Sequence, residues 1–430
     1  MKRVLLAIMV LLMATVVWSA PMKLIWMATG PVKFAPGQDT GGFESLDAKL
    51  CADFEKANPG VKVQVMFRDV TQGMLSFQTL LAAGTPPDGW IEAAGNANPY
   101  LHDAYAIDFK AYMTKEQLAV YKPESIGPYI RNGNYYALPQ SQVAGGFAVN
   151  LDMLAQIGEK MPTQEKWTTD EFYRIAKKLK AVGVPAVVFF TKNGFSGWDQ
   201  LWLSAFGASM YKGKDYSKTT INSPQAVAAL TWMKKLVDEG LVSAPPNEMT
   251  DDDSIEFFTT GKLFSGIMQN GHSDYWVPEQ VKQGKLAKEF AMTFVELPHA
   301  PGLKHAPTFG YQAIVVAHRS ANDARNKMVV KLAMVAAGKD YIYNNCILNG
   351  GFSPRVDLDP KEGTAAKPSY AAIAALSKVA GLQDLNPFGP RSKEVSALWK
   401  EPIQAFFRGE VTAQKLLADF EVAANEVLAR

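Results

Sequence analysis

Cysteine is nearly absent from this chain: Cys51 and Cys346 are the only two in 430 residues. Two thiols cannot make the disulfide framework on which small exported domains depend, so a buried core must hold the fold. Both sit in apolar helical patterns, which predicts buried free thiols, although spacing alone leaves open whether they pair. An excess of charge is also missing. The formal net charge is +2 at pH 7, too little to hold a nucleic acid or an anionic membrane. The five histidines, His102, His272, His299, His305 and His318, show no metal-ligand spacing, so neither a metal nor a cofactor is expected. There is no Gly-x-Ser-x-Gly elbow and no phosphate-cradling glycine loop. Glu92 has no sequence-evident carboxylate partner for glycoside hydrolysis. These absences argue against an enzyme. The chain also has no internal repeat and no low-complexity tract.

The apolar run at 4–17 follows Lys2 and Arg3 and is too short and wrongly flanked for a membrane span. Val17-Trp18-Ser19 favours cleavage after Ser19, which makes 1–19 an export signal. Its loss removes two positive charges and leaves a net charge of 0. No cysteine follows the run, so a lipid anchor is not expected. A soluble monomer in a bacterial periplasm is the simplest reading.

Past the signal, strands and helices alternate. Lys23-Leu24-Ile25-Trp26-Met27 reads as a buried strand. Phe43, Leu46, Leu50 and Phe54 then keep helical spacing up to Asn58-Pro59-Gly60. Val61, Val63, Val65 and Phe67 alternate as a strand. A helix near 72–83 stops at Gly84, and a strand at 89–91 leads into Glu92, Asn96 and Asn98. Such alternation predicts an α/β fold with a parallel or mixed sheet and helices on both faces. Ligands in such folds sit at the carboxyl ends of strands, here the loops at 29–42 and 92–98.

The stretch 135–150 is extended and broken by Gly145-Gly146, which suits a strand running between lobes. Thr168 and Glu171 form a capping box before a helix, and Ser223-Pro224 opens another that ends at Gly240. A strand is expected at 186–190, followed by a loop bearing Phe195 and Trp198. Asp251-Asp252-Asp253 suits a helix N-terminus better than a calcium loop. A strand at 263–268 ends at Gln269-Asn270-Gly271, with Tyr275 and Trp276 just beyond. Another strand returns through Tyr311, and helices fill 327–337, 368–380, 393–407 and 412–428.

Five landmarks recur in order: Phe-Glu-Lys-Ala-Asn-Pro-Gly-Val-Lys-Val at 54–63, Ala-Ala-Gly-Thr-Pro-Pro-Asp at 82–88, and Tyr-Ala-Leu-Pro at 136–139, then Phe-Thr-Thr-Gly-Lys at 258–262 and Gly-Gly-Phe-Ser-Pro-Arg at 350–355. With these the chain, over residues 23 to 429, resembles the extracellular solute-binding proteins of bacterial carbohydrate ABC importers, the group that includes maltose-binding protein. The resemblance implies a two-lobe periplasmic-binding-protein-like α/β fold with three interlobe crossings, expected near 141–146, 293–298 and 335–340. Lobe 1 would span 20–142 plus 298–337, and lobe 2 would span 143–297 plus 338–430.

It further implies that a sugar, favoured as an oligosaccharide by the number of aromatics, binds in the interlobe cleft and is passed to membrane permease subunits. By position the candidate ligand residues are Lys33, Asp39, Glu92, Asn96, Gln142, Phe195, Trp198, Asn270, Tyr275, Trp276, Tyr311, Arg355 and Trp399. Aromatic faces would stack on pyranose rings while polar groups bond the hydroxyls. Lys33 and Arg355 leave a phosphorylated or acidic solute as an alternative, and presentation to a chemoreceptor would use the same closed form. Three departures argue against maltose itself. Glu92 stands near a position where maltose-binding protein has an aromatic, Ser273 replaces an expected tryptophan, and Ile403 replaces an arginine.

Overall fold

The computed structural model describes residues 20–29, 41–68, 75–162, 166–192, 198–212, 217–380, 382–384 and 391–430. The expected export signal at 1–19 and the candidates Lys33, Asp39 and Phe195 lie outside these residues. The strands are β1 (Met22–Thr29), β2 (Val61–Arg68), β3 (Gly89–Ala93), β4 (Ile130–Arg131), β5 (Asn134–Tyr135), β6 (Leu138–Asn150), β7 (Ser265–Gln269), β8 (Met292–Val295), β9 (Thr308–Ala317) and β10 (Leu382–Asp384). Eight of them form one mixed sheet in the order β2-β1-β3-β9-β6-β7, with β10 paired to β9 and β8 to β6. The β1 pairings with β2 and β3 are parallel, whereas β9 is antiparallel to both β3 and β6.

Side-chain alternation along the strands sends residues into cores on opposite faces. In the first lobe, Val315 and Ala317 of β9 pack with Leu24, Trp26, Leu50, Phe54 and Val329. Ile314 and Val316 turn the other way, onto Phe77, Trp90 and Tyr105. In the second lobe, Phe147 and Val149 of β6 join Phe172, Trp202 and Phe264, while Ala144 and Ala148 join Phe258, Met268 and Phe294. Strand β6 itself therefore passes between the lobes: Leu138 is buried in a first-lobe core and Ala144 in a second-lobe core.

Two later stretches of the chain pack as follows. Residues 292–309 stay with the second lobe. There β8 pairs with β6, the His299 amide donates to Trp167 O, the Ala300 amide donates to Ala205 O, and Ala306 and Phe309 are core. The return happens inside β9, between Phe309 and Ile314. Ala336, Ala337 and Tyr341 pack in the first-lobe core. The Asp323–Ala336 helix turns at Gly338 into the Lys339–Asn349 helix, and the Tyr341 hydroxyl donates to Asp47 at 3.1 Å. Main-chain bonds from Lys122 to Pro354 O and from Val356 to Val120 O keep the chain there. Phe352 already packs against the second-lobe core of Phe258, Met268 and Phe294, and Ile373 and Leu376, on the Pro368–Ala380 helix, lie within it.

The capping and stop signals are realised, while the helix expected over 393–407 is two, Ser392–Ala397 and Lys400–Arg408. Thr168 and Glu171 close their capping box, and Ser223 caps a helix with Pro224 in its first turn. Thr250 and Asp253 make a second capping box in which the acidic run opens the Asp251–Thr259 helix. Gly84 and Gly240 take positive φ at 71° and 62°. Residues 186–190 are buried but are not a strand: Val187 bridges to Val242, and the Ser265 amide at the start of β7 donates to Ala186 O at 3.1 Å. Cys51 and Cys346 are both free and buried.

Candidate ligand-binding site

Several elements end beside the two strands that pass between the lobes. Strand β3 stops at Ala93, paired with Ala313 of β9, and the short Ala94–Ala97 helix packs on β9. From the other lobe, β7 ends at Gln269, opposite Gly145 of β6. The Asn270–Lys282 helix that follows touches β6, the Lys339–Asn349 helix and the Pro368–Ala380 helix. Phe352, on the third pass, exchanges main-chain bonds with Gln142 at 2.9 and 2.7 Å.

Glu92 is 4 % exposed at the end of β3. Its Oε1 accepts the Ala93 amide at 2.8 Å and Asn96 Nδ2 at 3.0 Å. These bonds fix the carboxylate of Glu92 and the amide of Asn96 relative to one another. Half-buried Tyr311 lies close enough to feel the carboxylate: burial, then the negative charge of Glu92, pushes its hydroxyl up to about 12. It therefore stays a protonated donor at any ordinary pH. Asn98 faces away from such a role, since it is buried and its Oδ1 accepts from Arg131. Gln142 is half-buried, and its Nε2 donates to Val143 O at 3.2 Å and Tyr311 O at 3.3 Å.

Across the crossing strands, Trp276 is half-buried on the Asn270–Lys282 helix. Trp198 and Asn270 each begin a helix and Tyr275 lies within one, but their side chains fall outside the described residues. Sequence reasoning missed three neighbours. Asp274 accepts a hydrogen bond from Ser369 and is held above the usual carboxylate range by burial. Half-buried Phe352 and Tyr370 bring their rings to 4.4 Å at a tilt of 43°. Phe352 was within reach, because it stands in the Gly-Gly-Phe-Ser-Pro-Arg landmark from which only Arg355 was chosen.

Two candidates are corrected. Trp399 is 0 % exposed and packs edge-to-face on Phe420, with centroids 4.9 Å apart, inside the larger second-lobe core. It has no face to offer a ligand. Arg355 is held by Asp357, with bonds of 2.9 and 3.0 Å, and its guanidinium lies 5.7 Å from the Tyr121 ring centroid. Its fork is already occupied by a carboxylate on the first lobe. Among the described residues no cluster of acidic, histidine and cysteine side chains could hold a metal, and no helix is long and apolar enough to cross a membrane.

The family model of bacterial extracellular solute-binding proteins matches residues 37–342. No curated protein sequence matches the chain. Among solved structures, maltose-bound MalE3 of T. maritima superposes with a TM-score of 0.76 at 19% identity, covering 94% of this chain and 99% of that one. A chitin oligosaccharide binding protein gives 0.77 at 17% identity, over 96% and 100% of the two chains. An ABC substrate-binding protein from Listeria monocytogenes in complex with cycloalternan gives 0.75 at 18%, over 95% and 99%. At these identities the likeness establishes a shared fold.

Proposed function

The chain belongs to the family of bacterial extracellular solute-binding proteins, and we propose that its solute is a carbohydrate, most simply an oligosaccharide, held between the lobes and delivered to the permease of an ABC importer. The observation that carries this reading is the pairing of Glu92 and Asn96, oriented by their own hydrogen bond, with the Tyr311 hydroxyl beside them and Trp276 on the opposite lobe. Acceptors and donors set against an aromatic face are what a hydroxyl-covered ring with C–H faces requires. The sugars named in three structures of the same fold support the class. An anionic solute is disfavoured, because Arg355 is neutralised by Asp357.

Binding closes the lobes about the three chain passes, and the closed form is what the permease recognises. The two lobes are proposed to divide where the cores divide, with His299–Phe309 assigned to the second lobe, 341–349 to the first, and Phe352 between them, bonded to Gln142 and packed on the second-lobe core. Export through the leader at 1–19 would deliver a monomer to the periplasm, where it binds without turning over its ligand. Thermal shift across a panel of neutral saccharides and sugar phosphates tests the class. Mass spectrometry of solute released from the denatured protein identifies it. Stabilisation by a neutral saccharide that is recovered unchanged is the expected result. Stabilisation only by anionic compounds, or recovery of cleaved sugar, would overturn the reading.

A further inference from the structure

Gln142 joins three parts of the chain by hydrogen bonds: β6, β9 and the stretch at Phe352. It lies on β6, in register with Gln312 of β9. Its main-chain amide donates to Phe352 O at 2.9 Å, and the Phe352 amide donates back at 2.7 Å, so the third pass is stitched to the first. Its side-chain Nε2 donates to Val143 O at 3.2 Å on its own strand and to Tyr311 O at 3.3 Å on β9. Val143 and Tyr311 stand directly opposite each other in the ladder. One amide group thus spans the facing carbonyls of two strands, close to where β6 shifts its register between Pro139 and Ser141. Rotation of one lobe against the other twists these strands about each other, and twist changes the span between the two carbonyls.

We propose that Gln142 is a positioning residue of the hinge: its side-chain amide ties β6 to β9 and so holds the interlobe angle, rather than contacting the solute. The amide nitrogen is committed to two main-chain carbonyls, at 3.2 and 3.3 Å, and so is engaged with the strands rather than with a solute. It acts on closure, and hence on the rate at which a solute is trapped, through the strands and not through a ligand hydroxyl. The inference rests on the two-lobed binding reading for its purpose. Its test uses ligand-free protein, so a failure to find a sugar would leave this test unaffected.

Two variants separate a donor role from packing. Gln142→Met keeps length and volume but has no donor, and Gln142→Glu at neutral pH sets a carboxylate against two carbonyls. Hydrogen exchange at the Gln142 and Phe352 amides should quicken about tenfold in the methionine variant and further in the glutamate variant. Spin labels at Lys327→Cys on the first lobe and Lys415→Cys on the second read the angle directly, since both lysines are exposed. The native Cys51 and Cys346 thiols are pushed up to about 12 by burial and stay unlabelled. The interlobe distance distribution should broaden in the same order as the exchange rates. Should the glutamate variant fail to fold, the methionine variant alone carries the test. Unchanged protection in Gln142→Met, or lost protection with unchanged interlobe distances, would overturn the proposal.

Discussion

At the scale of single residues, burial decides what two tryptophans and one carboxylate do. Trp399 shares its apolar stripe with Val395, Ile403 and Phe406, all buried, a spacing that repeats at helical intervals and marks a core face. The sequence therefore held the signal that Trp399 is structural, and the positional resemblance overrode it. Trp399→Ala should cost roughly 3–5 kcal/mol in urea unfolding. Trp276→Ala should instead lower saccharide affinity tenfold or more at a nearly unchanged ligand-free melting temperature, and the reverse pattern in either variant would exchange their roles. The place of Glu92 was legible for a different reason, since the apolar run before it reads as a buried strand that ends there. No local pattern announced Asp47. It is 2 % exposed, bonded by Trp26 Nε1 at 3.3 Å and by the Tyr341 hydroxyl at 3.1 Å from a helix almost 300 residues away in sequence. Burial raises it to about 6 against those two bonds. A raised acid leaves the folded protein holding the proton more tightly than the unfolded chain. Its contribution is thus fully present below pH 3.8 and lost as pH rises through about 6. Asp47→Asn, which keeps an acceptor without the charge, should match the parent near pH 4 and exceed it by roughly 3 kcal/mol at pH 7. A stability difference that stays constant with pH would show that the charge is not the cause.

At the scale of elements, what could be read from sequence was what neighbours in sequence determine. The capping boxes of Thr168 and Thr250 and the stops at Gly84 and Gly240 each depend on a few adjacent residues. The positions of the second and third passes depend on partners such as Lys122 and Pro354, and Val120 and Val356, which no window of sequence can bring together. The glycine break in β6 lies between these cases. A Cβ on Gly145 would run into the Phe309 ring and the Met268 carbonyl, so glycine is required where β6 leaves β9 for β7. The backbone there needs close approach, not a positive φ. Gly145→Ala should destabilise by about 1–3 kcal/mol, because a ring and a main-chain carbonyl must both give way. Adding Phe309→Leu should restore part of the loss in chemical denaturation. If Gly145→Ala alone costs nothing, the crossing strands are looser than their packing implies.

At the scale of the whole molecule, alternating strand and helix signals made the α/β class legible, because layer architecture follows from that alternation. Where the lobes divide did not follow, since one sheet runs through both and only the cores on its faces separate them. The described cores share β6 and β9, so a solute held, as proposed, between Glu92 on one side and Trp276 on the other would bind only when both lobes are folded and apposed. Such a solute stabilises the native state by mass action alone, about 2.7 kcal/mol at a hundredfold excess over its dissociation constant. Dividing by the unfolding entropy expected of a chain this long gives a rise of roughly 3 °C in melting temperature. The shift should grow with the logarithm of solute concentration in the parent. Trp276→Ala should need tenfold more solute or greater to reach the same shift, whereas Gln142→Met, acting on the hinge, should keep its shift within a few fold of the parent's concentration. A saccharide that raises the melting temperature equally in the parent and in Trp276→Ala is not held by Trp276, and the proposed stacking role of that residue would fall.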